Sequence, residues 1–114
     1  MSQQALKPVP DVLISDLLQD DPDMFDLVDQ FLTGLGNRAA ELQKAHEQLD
    51  WDNLSTLAHQ LKGAGGSYGY SEISELGKTM EQAFRVHSAE HFEDWMKQFE
   101  QLINAARAGL TAES

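Results

Sequence analysis

The residues best able to do chemistry in this chain are His59, Lys62, Gly63 and Gly66. On a helix of about 3.6 residues per turn, positions three, four and seven beyond His59 share its face, so the lysine and both glycines lie beside the imidazole. Leu54, Leu57, Ala58, Leu61, Gly65 and Tyr68 form an apolar stripe, and His59 stands roughly 160° from its middle. The imidazole therefore faces solvent. An exposed neutral imidazole is a nucleophile near neutral pH and can accept a phosphoryl group. Phosphoryl transfer asks mainly for in-line positioning and for cations near the equatorial oxygens. Lys62 offers such a cation one turn away. Each glycine within a helix costs on the order of 1 kcal/mol relative to alanine. The return expected from Gly63 and Gly66 is close approach by a large partner group, with Gln60 beside them at the docking rim.

Other readings of the same residues fail on spacing. A P-loop places its lysine after the glycines and follows a strand, and a dinucleotide fingerprint needs a strand and a third glycine at the proper spacing. His46, His87 and His91 lack such neighbours. His87 and His91 are four apart, as a helical metal pair would be, but Ser88 is expected to cap a new helix between them, so no metal site is expected. The Glu-x-x-His motif of di-iron bundles is absent.

The segment His59-Gln60-Leu61-Lys62-Gly63-Ala64-Gly65-Gly66-Ser67-Tyr68-Gly69 resembles the signature of histidine-containing phosphotransfer domains. The likeness extends more weakly from about Asp11 to Ala108. It implies that His59 takes phosphate on its outer nitrogen, Nε2, from an aspartyl phosphate of a receiver domain or a hybrid sensor histidine kinase, and passes it to a response-regulator aspartate. Lys62 would then hold phosphoryl oxygens, and Gly63 and Gly66 would clear room for receiver loops. No cofactor is expected on this chain, because magnesium would sit on the receiver's carboxylates. In some members a glutamine on the following helix holds the histidine; the corresponding place here is Glu81, with Gln82 beside it. Glu81 either orients the ring or is a solvated acidic residue on a helix face.

The elements that must position these groups read as helices throughout. Residues 1–10 carry Pro8 and Pro10 and form a loose lead-in. Asp11 is expected to cap a short helix bearing Val12, Leu13, Leu17 and Leu18, which Asp20-Asp21-Pro22 ends. From Pro22 an apolar pattern runs through Phe31, Leu35 and Leu42 to Leu49 for about seven turns, with a bend expected near Gly34 and Gly36. Asp50 to Asn53 offer caps for the histidine helix, and Gly69 is placed to end it in a left-handed conformation. Ser71 is expected to cap a fourth segment and Ser88 a fifth, with residues 109–114 a small polar tail. No stretch alternates as strands do. The expected fold is all-α, an antiparallel up-and-down four-helix bundle over 11–108 with a short N-terminal helix across one end. The methionines, tryptophans and phenylalanines are expected in the core and at its rim, with Met24 or Phe25 as candidates for a docking patch.

Composition narrows the function classes. A chain of 114 residues with 41% hydrophobic content supports one domain with its own core. Its 8 Lys+Arg against 19 Asp+Glu give a net charge of -11, which repels nucleic acid and anionic membranes. It has no cysteine, hence no disulfide framework or thiolate metal site, and a cytoplasmic setting fits. Starting at Met1 with short ends, it reads as free-standing, although a domain cut from a longer sensor protein would look the same. There is no nucleotide-binding segment, so it would transfer phosphate without drawing it from ATP. Two further readings stand beside the relay. One is a non-phosphorylated helical docking module for receivers or other signalling proteins. The other is the dimeric phosphoacceptor helix pair of a sensor kinase, disfavoured because Gln60 and Leu61 follow the histidine where an acidic residue and soon a proline are common. A monomer is expected.

Overall fold

The computed structural model describes residues 9–113, and the lead-in up to Pro8 lies outside the described residues. Five α-helices account for the architecture: α1 (Asp16–Asp20), α2 (Phe25–Glu47), α3 (Trp51–Ser67), α4 (Ser71–Arg85) and α5 (Phe92–Glu113). A single 3-10 turn, Pro22–Met24, leads into α2, and no strand occurs among the described residues. Helix α3 packs on α2 and α4, and α5 packs on α2 and α4. The register shows antiparallel neighbours. Gly65 meets Ile73 and Ser74 while Lys62 meets Gly77, and at the other pairing Arg107 reaches Asp29 while His46 stacks on Phe92.

The apolar periodicity explains the core. Val28, Phe31, Leu32, Leu35, Leu42 and Ala45 of α2 are buried, as are Leu54, Ala58, Leu61 and Gly65 of α3. Ile73, Leu76, Met80 and Phe84 join them from α4, and Phe92, Trp95, Phe99, Leu102 and Ala106 from α5. Each fully buried Leu, Phe or Met removes enough apolar surface for about 1.5–3 kcal/mol. Helix α2 runs unbroken through Gly34 and Gly36. Phe31 stacks on Tyr68 at a centroid distance of 4.5 Å, tying α2 to the turn that joins α3 to α4.

Several local expectations are corrected. The first helix starts at Asp16, not after Asp11, because the Ser15 hydroxyl accepts from Leu18 N–H as its cap and also donates to the Tyr68 carbonyl at 2.6 Å. Leu13 instead lies outside any helix, its N–H bonded to the Ala105 carbonyl. Ser71 is the first residue inside α4, and its hydroxyl bonds Glu72 rather than capping the helix. Ser88 lies in the turn before α5, its N–H bonded to the Ala83 carbonyl, and the helix begins at Phe92. The expected polar tail from 109 is helical through Glu113; Gly109 and Leu110 are buried, and Gly109 lies against Leu13. Without a side chain at 109 the N-terminal segment can cross α5 at backbone contact.

The turn after α3 fixes the end of the histidine helix. Gly69 has φ +84°, the left-handed conformation that ends helices at low cost, and its carbonyl accepts from Asp16 N–H at 2.9 Å. Helix α1 thus lies across the turn between α3 and α4. No helix among the described residues is long and apolar enough to cross a membrane.

Candidate functional site

His59 lies on the outward face of α3 with its side chain 62% exposed. Ala58 and Leu61, which flank it on the apolar stripe, are fully buried and hold the helix in place. A Cβ added at Gly63 would meet nothing within 4 Å, and one at Gly66 would meet only the Ser74 hydroxyl at 3.6 Å. Both glycines therefore leave open space beside the imidazole. Gln60 is exposed, about 100° further round the helix.

Glu81 is the buried centre of the site. Its side chain is only 4% exposed, yet three groups converge on its carboxylate. His59 Nδ1 lies 3.0 Å from Oε2, Lys62 Nζ lies 3.0 Å from Oε1, and Arg85 Nη2 lies 2.7 Å from Oε2. Burial alone would push the carboxyl up. The hydrogen bonds from Lys62 and His59, with the charges of Arg85 and Lys62, outweigh burial and hold Glu81 below its ordinary value. Glu81 is thus buried and paired, whereas its neighbour Gln82 is exposed. A carboxylate only accepts, so His59 Nδ1 carries the hydrogen, and in the neutral ring the lone pair is on Nε2.

Gly77 makes this meeting possible. A Cβ there would lie 2.6 Å from Lys62 N, 2.9 Å from Lys62 Cα and 3.0 Å from the Ala58 carbonyl. Helix α4 therefore crosses α3 at backbone contact, and one turn later Glu81 arrives at His59. Gly65 does the same a turn away, where a Cβ would lie 2.7 Å from Ser74 N. The Ser74 hydroxyl closes the crossing by donating to the Lys62 carbonyl at 2.8 Å.

Sequence reasoning did not single out Gly77, Ser74 or Arg85. Arg85 was readable in principle, because Glu81 and Arg85 are spaced i, i+4, where opposite charges pair on one helix face. Two of the chain's eight Lys and Arg residues thus converge on one carboxylate, leaving a local excess of positive charge beside His59 in a chain of net charge -11.

A family model for the Hpt domain matches residues 26–109, from the first turn of α2 to Gly109 of α5. The chain belongs to the Hpt domain family. Hpt domains carry out histidine phosphotransfer in two-component phosphorelays. The matched span includes His59, Lys62, Glu81 and Arg85, while α1 lies before it. No curated protein and no solved structure matches the chain.

The remaining histidines of this Hpt domain are packed against aromatic rings. His46 stacks on Phe92 at 3.9 Å, His87 on Trp51 at 5.1 Å, and His91 meets Trp95 edge-on at 6.1 Å. Among the described residues no group of three or more His, Cys, Asp or Glu side chains could hold a metal ion.

Proposed function

We propose that this Hpt domain is a phosphorelay intermediate in which His59 Nε2 takes a phosphoryl group from the aspartate of a receiver domain or hybrid sensor kinase and passes it to a response-regulator aspartate. The observation that carries this reading is the bond from His59 Nδ1 to the buried Glu81 carboxylate, because it turns the Nε2 lone pair outward on a rigid helix. Lys62, one turn on and 36% exposed, stands where it can share its three N–H donors between Glu81 and the phosphoryl oxygens. Gly63 and Gly66 leave the approach open, and Gln60 stands at its edge.

The magnesium that neutralises the reacting phosphate belongs to the receiver, and this chain contributes no cofactor. Helices α2 to α5 act as an up-and-down four-helix bundle that presents the site from a monomer, and α1 covers one end. We place the domain in the cytoplasm, a setting that fits a chain without cysteine; among the described residues no helix is long and apolar enough to cross a membrane. The phosphotransfer unit begins near Asp11, and the burial of Leu110 carries it past Ala108. The test is transfer from phosphorylated receivers, with magnesium, to the wild-type protein and to His59→Gln. Label on the wild type alone supports the relay; binding without label on either protein leaves a docking module.

A further inference from the structure

Glu81 does more than turn the ring. It is a buried acceptor, it meets the imidazole at Nδ1, and Lys62 and Arg85 hold it in its ionised form. Resting on the reading of His59 as phosphoacceptor, we propose that Glu81 keeps the Nδ1 proton on His59 throughout the phosphorylated state, so that the group leaving phosphorus is always neutral imidazole.

The electron and proton balance follows from the geometry. The Nε2 lone pair attacks phosphorus, the bond from phosphorus to the donor aspartate oxygen breaks, and that carboxylate takes the electron pair. The ring now carries phosphate on Nε2 and hydrogen on Nδ1 and is a cation, facing the Glu81 carboxylate 3.0 Å away. When the acceptor aspartate attacks, the N–P bond breaks and its electrons return to Nε2 as a lone pair. The starting tautomer is restored and no proton has moved. Were the Nδ1 proton lost in between, the leaving group would be an imidazolide anion, and transfer would slow.

The charged groups facing this pair are Lys62 from α3 and Arg85 from α4; Lys78 on α4 and Asp52 on α3 are exposed and stand one and two turns away. Lys62 and Arg85 act in opposition to the ring. Arg85 shares oxygen Oε2 with Nδ1 and so reduces the negative charge felt there. Removing the carboxylate and removing Arg85 must therefore shift proton retention in opposite directions, which a purely structural role would not do.

The test labels wild type, Glu81→Gln and Arg85→Gln with phosphoramidate, a small donor that needs no receiver, using His59→Gln as the blank. Loss of the N–P bond is followed by phosphorus NMR from acid to alkaline pH, with the ring nitrogens read by 15N shifts. Loss should be fast while Nδ1 is protonated and slow above the limb where it deprotonates. In Glu81→Gln the limb should move towards acid by about one pH unit, giving roughly tenfold slower loss along it. In Arg85→Gln it should move towards alkali. Coincident limbs, or shifts in the same direction, would overturn the proposal. Circular dichroism checks the fold; should Glu81→Gln unfold, the exposed Arg85→Gln decides alone, and an unmoved limb there refutes it. Failure of receivers to label His59 would instead count against the relay reading, independently of this profile.

Discussion

Replacing Gly77 by alanine adds one methyl group at the place where α4 touches α3. That methyl would sit 2.6 Å from Lys62 N and 2.9 Å from Lys62 Cα, whereas carbon contacts settle at about 3.5–4.0 Å. Both partners are backbone atoms of a helix, so the helices must part by about 1 Å. Overpacking of this kind costs about 1–3 kcal/mol, against which alanine returns about 1 kcal/mol of helix propensity. Gly63→Ala makes the same chemical change a turn beyond His59, where the new methyl meets nothing within 4 Å, and should simply stabilise by about 1 kcal/mol. Propensity cancels between the two, so urea unfolding should place Gly77→Ala about 1–3 kcal/mol below Gly63→Ala. Function should divide the other way round in cause. Parting the helices stretches the 3.0 Å bond from His59 to Glu81 to about 4 Å, outside hydrogen-bond range, so Gly77→Ala loses phosphoacceptance even from a small donor. Gly63→Ala keeps that reaction and slows only transfer from a receiver. Equal stability of the two variants would refute the account of Gly77 as the contact that delivers Glu81.

Acidification provides another check. Glu81 is held below its ordinary value in the folded state, so its contribution is present above the unfolded value and is lost as pH falls through the folded one. Thermal melts should therefore show wild type losing more stability than Glu81→Gln as pH drops below the usual carboxylate range. Ser15→Ala removes a cap to Leu18 N–H and a 2.6 Å bond to the Tyr68 carbonyl, and should cost about 1–2 kcal/mol by urea unfolding. Arg107→Ala breaks the 2.7 Å pair with Asp29, but both side chains are nearly half exposed, so the loss should stay below about 1 kcal/mol and shrink in high salt.

The long elements were legible because burial imposes a period that the sequence must obey. The stripe of Leu54, Ala58, Leu61 and Gly65 put His59 outside, and α3 has that face. Gly69 was readable as a left-handed helix end for a local steric reason. Asp11 is misplaced as a cap because Ser15 can cap equally well and only a tertiary contact chooses between them; Ser71 falls just inside α4, which starts without a side-chain cap, and Ser88 falls in the turn before α5. Ser15 wins over Asp11 through its bond to Tyr68, fifty-three residues away, which no local pattern encodes. The same limit hid the end of α5: residues 109–114 read as a polar tail, because nothing local encodes the approach of Leu13 to Gly109. At the site, His59, Lys62 and the two open glycines share one helix face and could be read by spacing. Glu81 could be placed only as a candidate, since its burial depends on how closely α4 approaches α3. That distance is set by Gly77 and Gly65, whose role appears only when both helices are present.

The most direct test of the central claim is phosphoryl transfer from a panel of phosphorylated receiver domains, with magnesium, to wild type and to His59→Gln. The account predicts an acid-labile, alkali-stable label on the wild type, located on Nε2 of His59, and none on the variant. Label of equal extent on His59→Gln, or on a nitrogen other than Nε2, would contradict it.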